Sequence, residues 1–427
     1  MMGESGFLAP LMLALVLLGL LAGLPTPLVL AGGALLGLLV GQLLGVYDIV
    51  LMGDLAGQLK TLLENEVLLA IPLLALSGTL LQDTSAFCAL RQRLAGLIVP
   101  ASDALLAMSG GGGGNQKSRA VSALLERAIP ASPFLVLLAD LIGKASHDAQ
   151  APIDAPSLMS AMIVPGLCLA FLVGVARNDE AAIEGEAQTT ISHWHAMLAG
   201  LAAISIPAII LFGLASPAEA GAVGVGLSLG LGILAKELRL DRLGDPLDRA
   251  LRRSAAVYAA LIAGAAFMLV FQGIGGAVIV DSLLSALPDD NVLSLLLALA
   301  VLLALLGLLI EPLSLAILFI PLAGPLLLAK GISPMLLGAA FILAPMSGLA
   351  LKMSLRQRIL LPLTQGVAFA VAIFWIGLQP ADKPRPTVDA PAQLEKHEDV
   401  FIPGNASDSL PQGEHEDRGY APPSEGE

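Results

Sequence analysis

Charge is what this 427-residue chain has least of. Asp, Glu, Lys and Arg together make up 13% of it, and aromatic residues only 4%. Ordinary soluble domains carry about 25% charged residues, so there is too little polar material here to cover a water-facing surface. Cysteine is nearly absent: Cys88 and Cys168 lie in or beside apolar stretches, with no CxxC or Cys/His cluster near either. That argues against a metal or redox centre. Basic residues are outnumbered, 22 Lys and Arg against 35 Asp and Glu, for a net charge of −13. Such a balance disfavours nucleic acid as a partner. No Ser-His-Asp set, paired acid and base, or phosphate-binding loop is present, which leaves no support for an enzyme.

What fills the chain instead is aliphatic. Hydrophobic residues reach 56%, and the mean hydropathy is +0.84. A β-barrel would need strands of roughly 10 residues that alternate apolar and polar. The apolar runs here are continuous and longer, which predicts an all-α polytopic membrane protein. A helix needs about 20 residues to cross the hydrocarbon core. Runs of suitable length cover Phe7–Leu24, Pro27–Val46, Ser157–Val175, Met197–Leu214, Ala255–Ile274, Val292–Ile310, Leu313–Ala329, Met335–Leu351 and Ile359–Leu378. Val67–Leu81, Leu94–Met108, Ala128–Ile142 and Gly221–Ala235 are shorter and suit broken or re-entrant helices as well as spans. About nine to eleven crossings are expected. The leader before the first run carries Glu4 and no Lys or Arg, which favours a retained helix over a signal peptide.

Basic residues in short loops set orientation. Lys236, Arg239, Arg242, Arg249, Arg252 and Arg253 crowd one loop, whereas the loop after the next span holds Asp281, Asp289 and Asp290 and no basic residue. That asymmetry places Lys236–Arg253 in the cytoplasm. Residues 1–380 thus form the membrane domain. Ala381–Glu427, rich in Pro, Asp and Glu, reads as a disordered tail outside the lipid. Gly110–Gly114 cannot hold a helix, since each glycine costs about 1 kcal/mol against Ala. It is either a flexible loop or an unwound segment lining a site.

Ionisable groups at membrane depth are functional candidates because burying them is expensive. Asp140 and Glu311 qualify, although either could sit at headgroup level. His193 and His195 flank Trp194 at the mouth of a span and read as interfacial, since no third metal ligand is near. Pro72, Pro130, Pro133, Pro312, Pro321 and Pro325 interrupt apolar runs in both halves. Proline removes an amide donor and disrupts a helix. Interrupted segments in both halves are a pointer to a transporter site at the bilayer midplane, and equally compatible with ordinary kinks.

Several segments resemble the large permease subunit of the tripartite ATP-independent periplasmic (TRAP) transporters. They are Leu63-Glu64-Asn65-Glu66 leading into Leu69-Ala70-Ile71-Pro72-Leu73-Leu74 and Ser77-Gly78; the opening Gly23-Leu24-Pro25; Ala215-Ser216-Pro217-Ala218-Glu219-Ala220-Gly221-Ala222-Val223-Gly224; and Pro321-Leu322-Ala323-Gly324-Pro325 with Gly331-Ile332-Ser333-Pro334. Their order and spacing carry the likeness, roughly from Phe7 to Leu378. The two hairpin regions depart from the family. Ser109 runs straight into the glycine stretch, the next matching piece is Ile129-Pro130-Ala131-Ser132, and the second hairpin is replaced by Ala344-Pro345-Met346-Ser347-Gly348-Leu349 with Lys352 close behind.

The resemblance implies an inverted-repeat, elevator-type fold in a bacterial inner membrane. It implies import of an organic anion, typically a carboxylate, with sodium as coupling ion and no other cofactor. The partners implied are a small membrane subunit and a periplasmic solute-binding protein. Half-helix N-termini would face the substrate carboxylate and exposed backbone carbonyls would hold sodium. Carried onto this chain, the substrate- and ion-binding set is Ser109, Gly110, Pro130, Ser132, Ser347 and Gly348. Because both hairpins depart, sodium-coupled uptake is expected to be weak or absent. A membrane scaffold that lost its site and a different polytopic permease remain as alternatives.

Overall fold

A computed structural model describes residues 7–45, 53–97, 125, 127–128, 132–146, 153–176, 193–237, 243–285, 291–345 and 355–378. Among these residues every regular element is a helix, which answers the expectation of an all-α chain. All of them belong to one compact unit. The expected tail, the glycine stretch and Lys352 lie outside the described residues.

The helices follow the apolar runs, as they must where no solvent can pair a bare backbone. In order they are α1 (Leu8–Leu21), α2 (Thr26–Leu43), α3 (Gly53–Leu63), α4 (Glu66–Gln82), α5 (Ser85–Leu97), α6 (Pro133–Ala145), α7 (Ala155–Ala176), α8 (His193–Leu211), α9 (Pro217–Leu234), α10 (Gly244–Gly273), α11 (Gly276–Leu284), α12 (Val292–Gly307), α13 (Pro312–Ala329), α14 (Pro334–Leu343) and α15 (Leu355–Leu378). Seven are long and apolar enough to cross a membrane, or eight if α4 and α5, bent by 78° at their junction, make one broken span. The shorter apolar helices α1 and α12, if counted, bring the number to nine or ten among the described residues, while α14 has only 10 residues.

Glycine and other small residues set the packing of one helix group. A Cβ on Gly221 would stand 2.8 Å from the Leu73 Cβ, and Gly224 presses on Ile206 and Ser77. Ser228 Oγ donates to the Ser77 carbonyl at 3.1 Å. Positions on α9 and α4 advance together, so the two helices run parallel with their backbones close. α10 runs against α4: Thr79 Oγ1 donates to the Pro246 carbonyl at 3.2 Å at one end, and Tyr258 Oη donates to the Leu68 carbonyl at 2.7 Å at the other. Farther along α10, Gly264 faces Leu30 and Ile317, while Gly33 and Gly37 of α2 face Phe267 and Val270.

Four expectations need correction. Gly244–Arg253, read as part of a loop, forms the first turns of α10. Its i,i+4 pair Asp248–Arg252, 2.6 Å apart, supports a solvated helical start. The Ser216–Gly224 match implies a tight turn in which Pro217 stops the preceding helix, but that helix, α8, ends before Gly213, whose φ of 64° suits glycine. Pro217 instead opens α9, where a missing amide costs nothing. Pro72, Pro321 and Pro325 lie inside helices that continue through them, and Pro312 and Pro133 are first-turn residues rather than interruptions. Finally, α14 ends at Leu343, short of the expected Leu351; Pro345 stands just beyond its end, and residues 346–354 lie outside the described residues.

Candidate functional site

Two helices too short to span the bilayer form the centre of the second helix group. α6 has 13 residues and α14 has 10. From Leu337 to Leu343 every residue of α14 is buried, as are Leu135–Ala139 and Ile142 of α6. The apolar face that these residues form must be covered by other helices, and α4, α7, α13 and α14 pack around α6. α6 and α14 pass each other in opposite directions: Gly338, midway along α14, sits against Ile142 and Leu158, and Pro345 beyond its end meets Arg127 upstream of α6. The far end of α14 therefore comes back toward the start of α6.

At that meeting point lies Arg127. It belongs to a short helical piece with Leu125 and Ala128, upstream of α6. Its side chain is 9% exposed, and Nη1 donates to the Pro345 carbonyl at 3.4 Å, across 218 residues of sequence. The partner carbonyl belongs to the residue just past the C-terminus of α14, the negative end of that helix dipole. Ala128 beside it is fully buried, with its carbonyl oxygen against Gly166 of α7 so tightly that a Cβ could not be inserted.

Ser132, the one predicted site residue that is described, is 3% exposed and caps α6. Its Oγ accepts from the Phe134 amide at 3.1 Å, and its carbonyl accepts from Leu135 and Val136. Pro133 has no amide to offer. The first-turn donors of α6 are thus satisfied within the helix. An anion there would feel the dipole, but these particular amides already have partners. Ser109, Gly110, Pro130, Ser347 and Gly348 lie outside the described residues.

Asp140 sits one side of α6, its side chain 11% exposed. Oδ1 accepts from Asn65 Nδ2 at 2.9 Å and Oδ2 pairs with Lys144 Nζ at 2.8 Å. Asn65 also caps α4 through Val67, so this carboxylate ties α6 to the start of α4. Glu311 is exposed at the start of α13, with no side-chain cap. His193 and Trp194 are exposed at the start of α8. On α15, the buried amide of Gln365 and the indole nitrogen of Trp375 have no hydrogen-bond partner.

Sequence reasoning missed Arg127 and Asn65. Arg127 had a signal, a cation three residues before Pro130 in an apolar context, but the run was drawn from Ala128 and left it out. Asn65 had none beyond its place before α4, since its partner is 75 residues away.

Residues 120–351 match the family described as "Tripartite ATP-independent periplasmic transporter, DctM component". No curated protein matches the chain. The matched region holds Arg127, α6 through α14 and Pro345. It also holds the Ser216–Gly224 and Pro321–Pro334 segments, while the Gly23–Pro25 and Leu63–Gly78 segments lie before it. More than half of the chain is covered, including both buried half-helices and the contact that joins them, and the chain accordingly belongs to the DctM family, the permease component of TRAP transporters.

Proposed function

We propose that this permease is the translocating subunit of an importer for an organic anion, a carboxylate, in a bacterial inner membrane. A periplasmic solute-binding protein delivers the anion, and a small membrane subunit braces the helices. The observation that carries this reading is the convergence of α6 and α14, two buried half-helices of opposite direction, at a buried guanidinium. Interrupted helices meeting within a bundle are where transporters of many folds bind their cargo. A buried arginine and the positive end of the α6 dipole both favour a negatively charged cargo over a neutral or cationic one.

Movement of the site from one side of the membrane to the other follows the family's elevator scheme, with the pair α6 and α14 carried together. Sodium is the coupling ion that the family resemblance implies. Its drive here is weak or absent, because the hairpin tips that would hold it depart from the family pattern and Arg127 already occupies the meeting point.

The test is uptake of labelled carboxylates into proteoliposomes containing the full chain, a matching small subunit and a matching binding protein. Uptake above empty liposomes that disappears without the binding protein supports the reading. Binding-protein-dependent uptake that collapses when sodium is replaced by choline would refute the weak-sodium part. No uptake of any carboxylate from a loaded, docking binding protein would leave a membrane scaffold as the better account.

A further inference from the structure

We infer that Arg127 is a resident cation that stands in for a coupling sodium ion at the junction of α6 and α14. The inference rests on the permease reading above and adds what fills its cation position.

A sodium ion stripped of water needs several oxygens, and in broken-helix transporters backbone carbonyls at helix C-termini are a usual source. The Pro345 carbonyl, just beyond the last turn of buried α14, is such an oxygen. In this chain it receives a guanidinium N–H instead. Three features make that substitution effective. First, arginine stays protonated in proteins, so the charge cannot leave by titration. Second, Arg127 is nine-tenths buried, where water screens it poorly. Third, the stem is fixed: Ala128 is wedged against Gly166, where no Cβ fits, so the arginine cannot swing clear by moving its backbone. A cation at the C-terminal end of α14 also complements that helix's dipole, as a bound sodium would.

The experiment uses the purified full chain, without transport. Thermal unfolding and binding of radiolabelled sodium are measured in matched concentrations of sodium, potassium and choline chloride. A ligand that binds only the folded state raises its melting temperature. The wild type is expected to melt at the same temperature in all three salts and to hold no sodium. Arg127→Met, which keeps the stem but removes the charge, and Arg127→Gln are expected to gain a sodium-specific rise of several degrees, with saturable sodium binding. Arg127→Lys, which keeps the cation, should remain insensitive. A wild type stabilised by sodium over potassium and choline overturns the inference, as does a folded Arg127→Met that ignores sodium. Should both neutral variants fail to fold, the wild type and Arg127→Lys decide: sodium-specific stabilisation of either one overturns it, and insensitivity of both supports it. None of these outcomes depends on uptake, so failure here is distinguishable from failure of the permease reading.

Discussion

Gly166 shows how much one missing methyl can matter in a bundle with so few polar ties. A Cβ at this position would run into the carbonyl oxygen of Ala128, a backbone atom that has no rotamer to yield. Overpacking of this kind costs about 1–3 kcal/mol. Gly166→Ala should therefore lower the melting temperature in detergent. Gly226→Ala serves as control, since it meets nothing within 4 Å and lies inside α9; a helical Gly→Ala change in open space stabilises by about 0.5–1 kcal/mol. Equal melting temperatures for the two variants would contradict the close approach of Ala128 to α7. Gln365 poses the opposite case. Its amide is buried without a partner on either atom, a penalty of about 1–3 kcal/mol. Gln365→Leu should unfold at a higher temperature than the parent, and a lower one would mean the amide is bonded in the working protein. At this scale the sequence was only partly legible. Asp140 was flagged by its charge in an apolar run, but its partner Asn65 depends on how α3 and α4 meet, which no local pattern reveals. Ser132 was read as a substrate- and ion-binding residue, whereas its role as the cap of α6, which occupies the Phe134 amide, appears only in three dimensions.

Elements were far more legible than contacts, because each apolar run must become a helix once water is excluded. The runs Val67–Leu81, Ser157–Val175 and Val292–Ile310 predict α4, α7 and α12 to within a few residues. The boundaries that moved were those governed by proline and charge. Proline opens α6, α9, α13 and α14 from the first turn, where its lost amide is harmless. α3 went unread because it is amphipathic and short, with Lys60 and Glu64 on its exposed side. The α9 start illustrates local and tertiary signals in agreement. Ser216 accepts from the Glu219 amide while Glu219 accepts from the Ser216 amide, a complete capping box, and the small residues that follow let α9 lie against α4. Gly224→Leu should therefore destabilise the bundle by several kcal/mol, as overpacking against Ile206 and Ser77 has no open side to relax into. A thermal unfolding curve for Gly224→Leu that overlays the parent's would remove α9 from this interface. Ala220→Leu, at a position with no exposed surface, should behave the same way.

At the scale of the molecule, polar contacts gather where helices end. Arg249 and Asp83 pair at 2.5 Å, and Glu237 accepts from the Ser85 amide at 2.9 Å and from its hydroxyl. The ends of α4 and α9 and the start of α10 therefore share one level, and the excess of Lys and Arg from Lys236 to Arg253 predicts that this level faces the cytoplasm. With Cys88 and Cys168 replaced, Lys236→Cys should resist a membrane-impermeant thiol reagent in intact cells and react after permeabilisation. Reaction in intact cells would invert the topology. The family was readable from motifs that lie within the matched residues 120–351, and the multi-pass fold from the continuous apolar runs. The site was less readable because it joins residues 218 positions apart.

α1 has a further consequence for the surrounding lipid. Its 14 residues make a rod of about 21 Å, shorter than a hydrocarbon core of about 30 Å, and its outer face, with Leu11, Leu15, Leu18 and Leu21, is exposed. α12, with 16 residues, is little longer. A helix this short is met by local thinning of the lipid, by flanking side chains that reach to the interface, or by a neighbouring helix, demands that the 30-residue α10 does not make. Reconstitution in lipids of shorter acyl chains should therefore raise the melting temperature of the full chain, and an unchanged one would mean that the α1 rim is met by protein rather than lipid.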